Sequence, residues 1–211
     1  MNIIIAGGGK FGYKAAMSLK EIAKIVVVDA NPKCYASSLS HIELVIGDAI
    51  EYITELMMNK IIPDYIVPCI PGNLVAKIFI NFMSKFGFKV IKDEKNFINA
   101  LQKIKKDVII IADKDSATIV ASYAKDFICP SNCKSPKICP MSNKIIDPLY
   151  SILNIGENGK IFVSKLLNEG VGGISGRELY EELIFRMKIG GSFYIGTACE
   201  CHGIVNFLRI D

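Results

Sequence analysis

Residues 2–12 leave this chain few ways to fold. Asn2-Ile3-Ile4-Ile5-Ala6 is an apolar run, Gly7-Gly8-Gly9 breaks it, and Lys10-Phe11-Gly12 opens a helical pattern. A short Ile-rich run bounded by glycines reads as a strand buried on both faces. Phe11, Ala15, Leu19 and Ile22 then recur at helical spacing, which predicts one apolar helix face. The same alternation continues along the first half of the chain. Strands are expected at Asn2–Ala6, Ile25–Asp29, Glu43–Ile46, Tyr65–Pro68 and Lys89–Ile91. Helices are expected at Lys10–Glu21, Ile50–Met58 and Asn73–Phe86, with a short turn or helix near Pro32–Leu39. Each strand–helix–strand crossover is right-handed, so this order predicts an α/β fold with a doubly wound parallel sheet. The hydrophobic fraction of 51% fits such a sheet. It does not signal a membrane span, because no apolar run approaches the ~18 residues required.

The turn itself reads G-x-G-x-x-G at Gly7, Gly9 and Gly12, a dinucleotide-binding fingerprint. Gly7 permits the tight turn, Gly9 lets a phosphate approach the backbone, and Gly12 lets helix and strand pack closely. A pyrophosphate would sit at the N-terminus of the first helix, where free N–H groups and the helix dipole favour an anion. Phe11 lies within that turn. Lys10, also inside it, is either a phosphate contact or a solvated side chain. Asp29 ends the second strand, where a carboxylate accepts from the ribose hydroxyls and disfavours a 2′-phosphate, so NAD is preferred over NADP. Gly47-Asp48 follows the third strand, and Asp48 falls near the expected adenine position.

From Lys92 the pattern changes. Asn96–Lys105 predicts a short helix, and Val108–Ala112 and Ala117–Ala121 two strands joined by a polar turn, Asp113-Lys114-Asp115-Ser116. Cys129 to Pro148 has four prolines, three cysteines and no period, so something other than a backbone ladder should hold it. Beyond it, Ile161–Leu166 reads as a strand, Gly170–Gly173 as a flexible connector, and Ser175-Gly176-Arg177-Glu178 as a capping box opening a helix. Ser192–Gly196 and Ile204–Leu208 read as closing strands. The composition divides the chain into an α/β domain over residues 1–125 and a smaller cysteine-rich α+β domain over residues 126–211.

Seven cysteines in a chain read as cytoplasmic do not suggest a disulfide framework. Cys129, Cys133 and Cys139 lie in the proline-rich loop, where soft thiolates can bind a metal that replaces missing backbone order. Cys199 and Cys201, in Cys199-Glu200-Cys201-His202, supply further ligands. In an extended segment both cysteines point to one side and His202 to the other. Zinc, an iron–sulfur cluster and buried or redox-active thiols all remain open on the spacing. Cys34 and Cys69 read as core, and His41 as a surface residue. The net charge of +4 carries only one local cluster, Lys103, Lys105 and Lys106, a solvated face and not a nucleic-acid groove.

The glycine fingerprint Gly7–Gly12, Asp29 and Gly47-Asp48 together resemble the Rossmann nucleotide-binding (RCK N-terminal) domain of Trk-type potassium-uptake regulators. The resemblance covers residues 1 to about 90. It implies a Rossmann-like fold, binding of NAD(H) or an adenine nucleotide, and control of a membrane potassium transporter. Regulators of this kind often form homodimers. The cysteine-rich half resembles domains of unknown function found beside Trk-like ones. Three functions stay open: a redox-linked or redox-sensing NAD(H)-binding protein with a metal–thiolate or iron–sulfur site and a redox partner; a non-enzymatic regulatory subunit; and a nucleotide-binding protein with structural zinc. The first would be an NAD-linked oxidoreductase if it transfers electrons, but no catalytic residue is identifiable. No insertion into a membrane is expected.

Overall fold

A computed structural model describes residues 1–125, 127, 129, 133 and 136–211. In chain order its elements are β1 (Asn2–Ala6), α1 (Lys10–Leu19), β2 (Lys24–Asp29), β3 (Glu43–Ile46), α2 (Ala49–Met58), β4 (Tyr65–Pro68), α3 (Leu74–Lys85), β5 (Val90–Lys92) and α4 (Glu94–Lys103). They continue with β6 (Ile109–Asp113), β7 (Thr118–Ser122), α5 (Leu149–Ile152), β8 (Gly159–Val163), β9 (Lys165–Asn168), β10 (Val171–Ser175), α6 (Gly176–Ile189), β11 (Gly191–Ala198) and β12 (His202–Ile210). Two compact units result, each drawn from two stretches of chain: Met1–Phe82 with Lys165–Ile184, and Met83–Ser164 with Phe185–Asp211. This division differs from the single break after residue 125 expected from composition.

The first unit carries a six-stranded sheet in the order β3-β2-β1-β4-β10-β9. Its first four strands pair in parallel, Ile3 opposite Ile25 and Ile4 opposite Ile66. β10 then joins β4 antiparallel, with Ile174 opposite Ile66, and β9 joins β10 antiparallel. The sheet is therefore mixed, not purely parallel. β-Branched residues fill its strands because a pleated, two-sided surface suits their restricted rotamers. Ile3, Ile5, Ile25 and Val27 are almost fully buried and pack with Ala15, Ala16 and Leu19 of α1. Burying each such Ile or Val contributes about 1.5–3 kcal/mol. An exposed ion pair such as Lys20–Glu21 is worth at most about 1 kcal/mol, so packing decides the architecture. The buried face of α1 is Gly12, Ala15, Ala16 and Leu19, whereas Phe11 is 76% exposed.

The second unit holds a mixed sheet in the order β6-β7-β12-β11-β8, with β5 also paired to β12. β5 does not extend the first sheet, as the alternation suggested, but runs antiparallel to β12, Lys92 opposite Leu208. The stretch expected as one strand over 161–166 divides at Ser164 into β8 of this unit and β9 of the first. The expected glycine connector at 170–173 instead forms most of β10, pairing antiparallel with β4 and β9. Ser175 caps α6 as expected, its hydroxyl accepting from the Glu178 amide at 3.2 Å. The polar turn between β6 and β7 is closed internally, Asp113 accepting from the Asp115 amide and the Ser116 hydroxyl. No helix among the described residues is long and apolar enough to cross a membrane.

Candidate functional site

In the first unit β1 delivers the chain into the glycine turn, and each glycine of the fingerprint faces a different constraint. Gly7 adopts φ +104°, and a Cβ there would lie 2.8 Å from the Cys69 carbonyl oxygen. A Cβ on Gly12 would collide with the Gly7 carbonyl, so this glycine sets the approach of α1 to the turn. A Cβ on Gly9, which caps α1 without a side chain, would meet nothing within 4 Å. Gly8 is glycine because the buried Cys34 thiol occupies the space a side chain would need.

The carboxylate of Asp29 reaches the same turn. Its Oδ2 accepts from the Gly8 amide at 2.6 Å and its Oδ1 from the Asn31 amide at 2.8 Å. A carboxylate has about four lone-pair sites, so these bonds leave acceptor capacity at the strand end. Lys10 is exposed, and its ammonium lies 5.8 Å from the centre of the Tyr35 ring. Phe11 projects outward. Asp48 caps α2, its Oδ1 accepting from the Ile50 and Glu51 amides. Capping is the role its geometry displays. Burial pushes the Cys69 thiol up to about 11, which suits a neutral core residue. His41 is exposed, as expected.

The second site lies wholly within the second unit. β11 and β12 form a hairpin closed by Ala198 opposite Gly203 and by the Cys199 amide donating to the His202 carbonyl at 2.9 Å. The chain reverses over Cys199-Glu200-Cys201-His202, so the Cys199, Cys201 and His202 side chains converge instead of alternating. Cys199 Sγ, Cys201 Sγ and a ring nitrogen of His202 lie within 4.8 Å of one another, a grouping of metal-ligand types. His202 thus joins the two cysteines, whereas an extended segment would have turned it to the other side. The signal for it was the adjacent Cys-x-Cys-His, legible only if the segment is read as a hairpin tip.

The hairpin tip is held from several sides. The Tyr123 amide donates to the Cys201 carbonyl at 3.2 Å, the Leu149 amide to the Glu200 carbonyl at 2.8 Å, and the Ser164 amide to the Ala198 carbonyl at 2.8 Å. The Tyr123 hydroxyl also bonds both backbone groups of Asp147, tying the loop segment before α5 to β7. Cys199 Sγ lies 3.8 Å from His202 Nδ1. Hydrogen bonding from the Cys201 thiol, with further help from the His202 ring and the amides of Cys201 and His202, holds the Cys199 thiol well below its ordinary value against the effect of burial. The same contact with Cys199 raises His202.

Two of the three loop cysteines pack in the same cluster as this group. Cys139 is buried in the same packed cluster as Cys201, while Cys129 and Cys199 pack against its edge. Burial alone would raise the Cys139 thiol. The Ser142 side chain and the Ser142 and Met141 amides outweigh it, so the thiol is lowered. Cys129 is raised, first by burial and then by Cys133, Cys139 and Cys199 around it. An open pocket of about 360 Å³, lined by Ser122, Ser164, Thr197, Cys199, His202 and Ile204 among others, gives a path to the group. The donors present fit a borderline metal, which takes thiolate and imidazole together.

Fold and site together define a mixed α/β protein with a thiolate–imidazole cluster at a hairpin tip. The chain belongs to the family described as "Uncharacterized protein, C-terminal domain", which it matches over residues 74–211. That span holds all five clustered cysteines and His202, and the glycine turn lies outside it. The chain is also similar to a protein of Archaeoglobus fulgidus described as an uncharacterized protein, at 29% identity over 221 aligned positions that cover 98% of each.

Proposed function

We propose that this chain is an NAD(H)-binding protein that carries a metal–thiolate centre and is redox-linked or redox-sensing. The convergence of Cys199, Cys201 and His202 within 4.8 Å carries the metal half of the reading. Free thiols are buried at little cost, so it is the convergence of two of them with an imidazole, a soft and borderline donor set, that favours a bound cation. When bound, the metal would supply a fixed positive charge and hold the hairpin tip against the loop. The chain's own contribution is the hairpin, whose two strands hold the donors at its tip.

The Rossmann-like reading of the first unit rests on the parallel β3-β2-β1-β4 core and its glycine turn. Open space over Gly9 at the start of α1 suits a phosphate, and the Asp29 carboxylate, oriented by the Gly8 and Asn31 amides, suits a ribose diol. Here the side chains orient a dinucleotide and select against a 2′-phosphate.

Anaerobic purification followed by metal and sulfide analysis, with NADH titration of the same sample, tests both halves. Bound metal and saturable NADH binding are expected. Asp29→Asn keeps an acceptor for the Gly8 amide but loses the charge. It should weaken NADH binding by about tenfold, roughly the worth of a charge-assisted hydrogen bond, and lower the melting temperature modestly because the new amide nitrogen faces the Asn31 amide. Unaltered NADH affinity would remove the ribose assignment. NADH binding without electron transfer to an acceptor would favour the regulatory reading over the oxidoreductase.

A further inference from the structure

All seven cysteines and both histidines lie among the described residues, and of these only Cys199, Cys201 and His202 bring three donor atoms within 4.8 Å of one another. No carboxylate among the described residues joins them. Zinc lies about 2.3 Å from a thiolate and about 2.0 Å from an imidazole nitrogen, which sets those two donors about 3.6 Å apart in a tetrahedron. Cys199 Sγ and His202 Nδ1 stand 3.8 Å apart, so an ion would need little movement of that pair.

The two sides of this group differ. Cys201 is 6% exposed and belongs to the core cluster with Tyr123, Leu149 and Val205. Cys199 and His202 instead line the pocket of about 360 Å³, and Cys201 does not. Much of the remaining wall comes from Val120 and Ser122 of β7, Thr197 of β11, Ile204 of β12 and Ser164 between β8 and β9. The volume is near the lower end for ligand pockets, which suits a small occupant. No lysine, arginine, aspartate or glutamate among the described residues lines it. A charged ligand body would therefore lose hydration there without gaining a counter-charge. A sulfur bound to the metal needs none, because the cation itself neutralises it.

We propose that the metal held by Cys199, Cys201 and His202 keeps its fourth position open toward this pocket and takes there a small aliphatic thiol with an uncharged body. This rests on the reading that the hairpin group holds a metal, and it gives that metal an exchangeable ligand. Four protein ligands close a structural zinc site, whereas three leave a position for water or substrate. The thiol binds through its sulfur: the S–H proton passes to solvent, a metal–sulfur bond forms, and water leaves the fourth position. Neither metal nor sulfur changes oxidation state. Soft sulfur matches a metal already held by two thiolates better than the oxygen of an alcohol or carboxylate does.

The test uses the full-length chain, loaded anaerobically with cobalt(II) as a coloured replacement for zinc and titrated with propane-1-thiol. Thiolate-to-cobalt charge-transfer absorption should rise saturably by about half, as two thiolate ligands become three. Cysteamine, which carries an ammonium, and propionate, which offers oxygen in place of sulfur, should each bind at least about tenfold more weakly. Val120→Phe narrows the pocket and replaces no ligand, so it should retain cobalt and bind propane-1-thiol about tenfold more weakly or worse. Undiminished thiol affinity in that variant would overturn the pocket as the binding place. Cys139→Ser should leave the bands of the thiol-free chain unchanged; a loss of intensity would show a site closed by that cysteine and overturn the proposal. Bound cobalt whose spectrum propane-1-thiol does not alter would overturn the open position while leaving the metal–thiolate reading intact. A wild-type chain that binds no metal would overturn both.

Discussion

A methyl group on Gly12 would be driven into the Gly7 carbonyl, and one on Gly9 would meet open space. Gly12→Ala should therefore cost about 1–3 kcal/mol, an overpacking penalty readable as a fall of several degrees in Tm. Gly9→Ala should change stability by no more than about 0.5 kcal/mol. Equal melting temperatures for the two variants would mean that Gly12 does not set the helix–strand approach. This contrast also explains a feature hidden from sequence. Helical periodicity marks large apolar residues, so it put Phe11 on the buried face, yet a helix pressed against the turn needs small residues there. Gly12, Ala15 and Ala16 meet that need, and Phe11 turns to solvent. The grouping of His202 with the two cysteines was not legible for a related reason. Alternation holds only while the chain is extended, and at the tip of β11–β12 it reverses.

At the scale of elements, the parallel core was legible because Ile/Val runs separated by helical patterns admit little else; β1, β3 and β4 fall at their expected limits. The antiparallel additions were not legible. β10 is written Val171-Gly172-Gly173-Ile174-Ser175, and glycine carries no alternation to read. A Cβ at Gly173 would press on the Leu167 side chain of the neighbouring strand, a partner that sequence cannot pair with it. The capping box that follows was legible because its signal is local. Ser175→Ala should cost about 0.5–2 kcal/mol by removing the acceptor for the Glu178 amide, measured as a shift in the urea midpoint at unchanged m. A midpoint unmoved by the substitution would show that the cap contributes nothing. The loop cysteines were legible as a cluster in composition, but the turn that follows Cys139, closed by Asn143 at positive φ, was not.

The whole molecule is two units, each assembled from stretches far apart in the chain. Composition marked a boundary near residue 125 because cysteine and proline cluster after it, yet composition says nothing about which strands pair. A chain ended after residue 125 lacks β9 and β10 of the first sheet and β8, β11 and β12 of the second. It should show no cooperative thermal transition by circular dichroism; a sharp, reversible one would contradict the interleaved assembly. The same arrangement bears on how the protein is made. The ribosome produces β4 by residue 68, but the strand that covers its far edge, β10, begins only at residue 171. Through that interval the nascent chain carries an apolar strand with an unpaired margin, a template for wrong partners. Chaperone dependence should accordingly be greatest while residues 69–170 are being synthesised and fall once the antiparallel strand emerges.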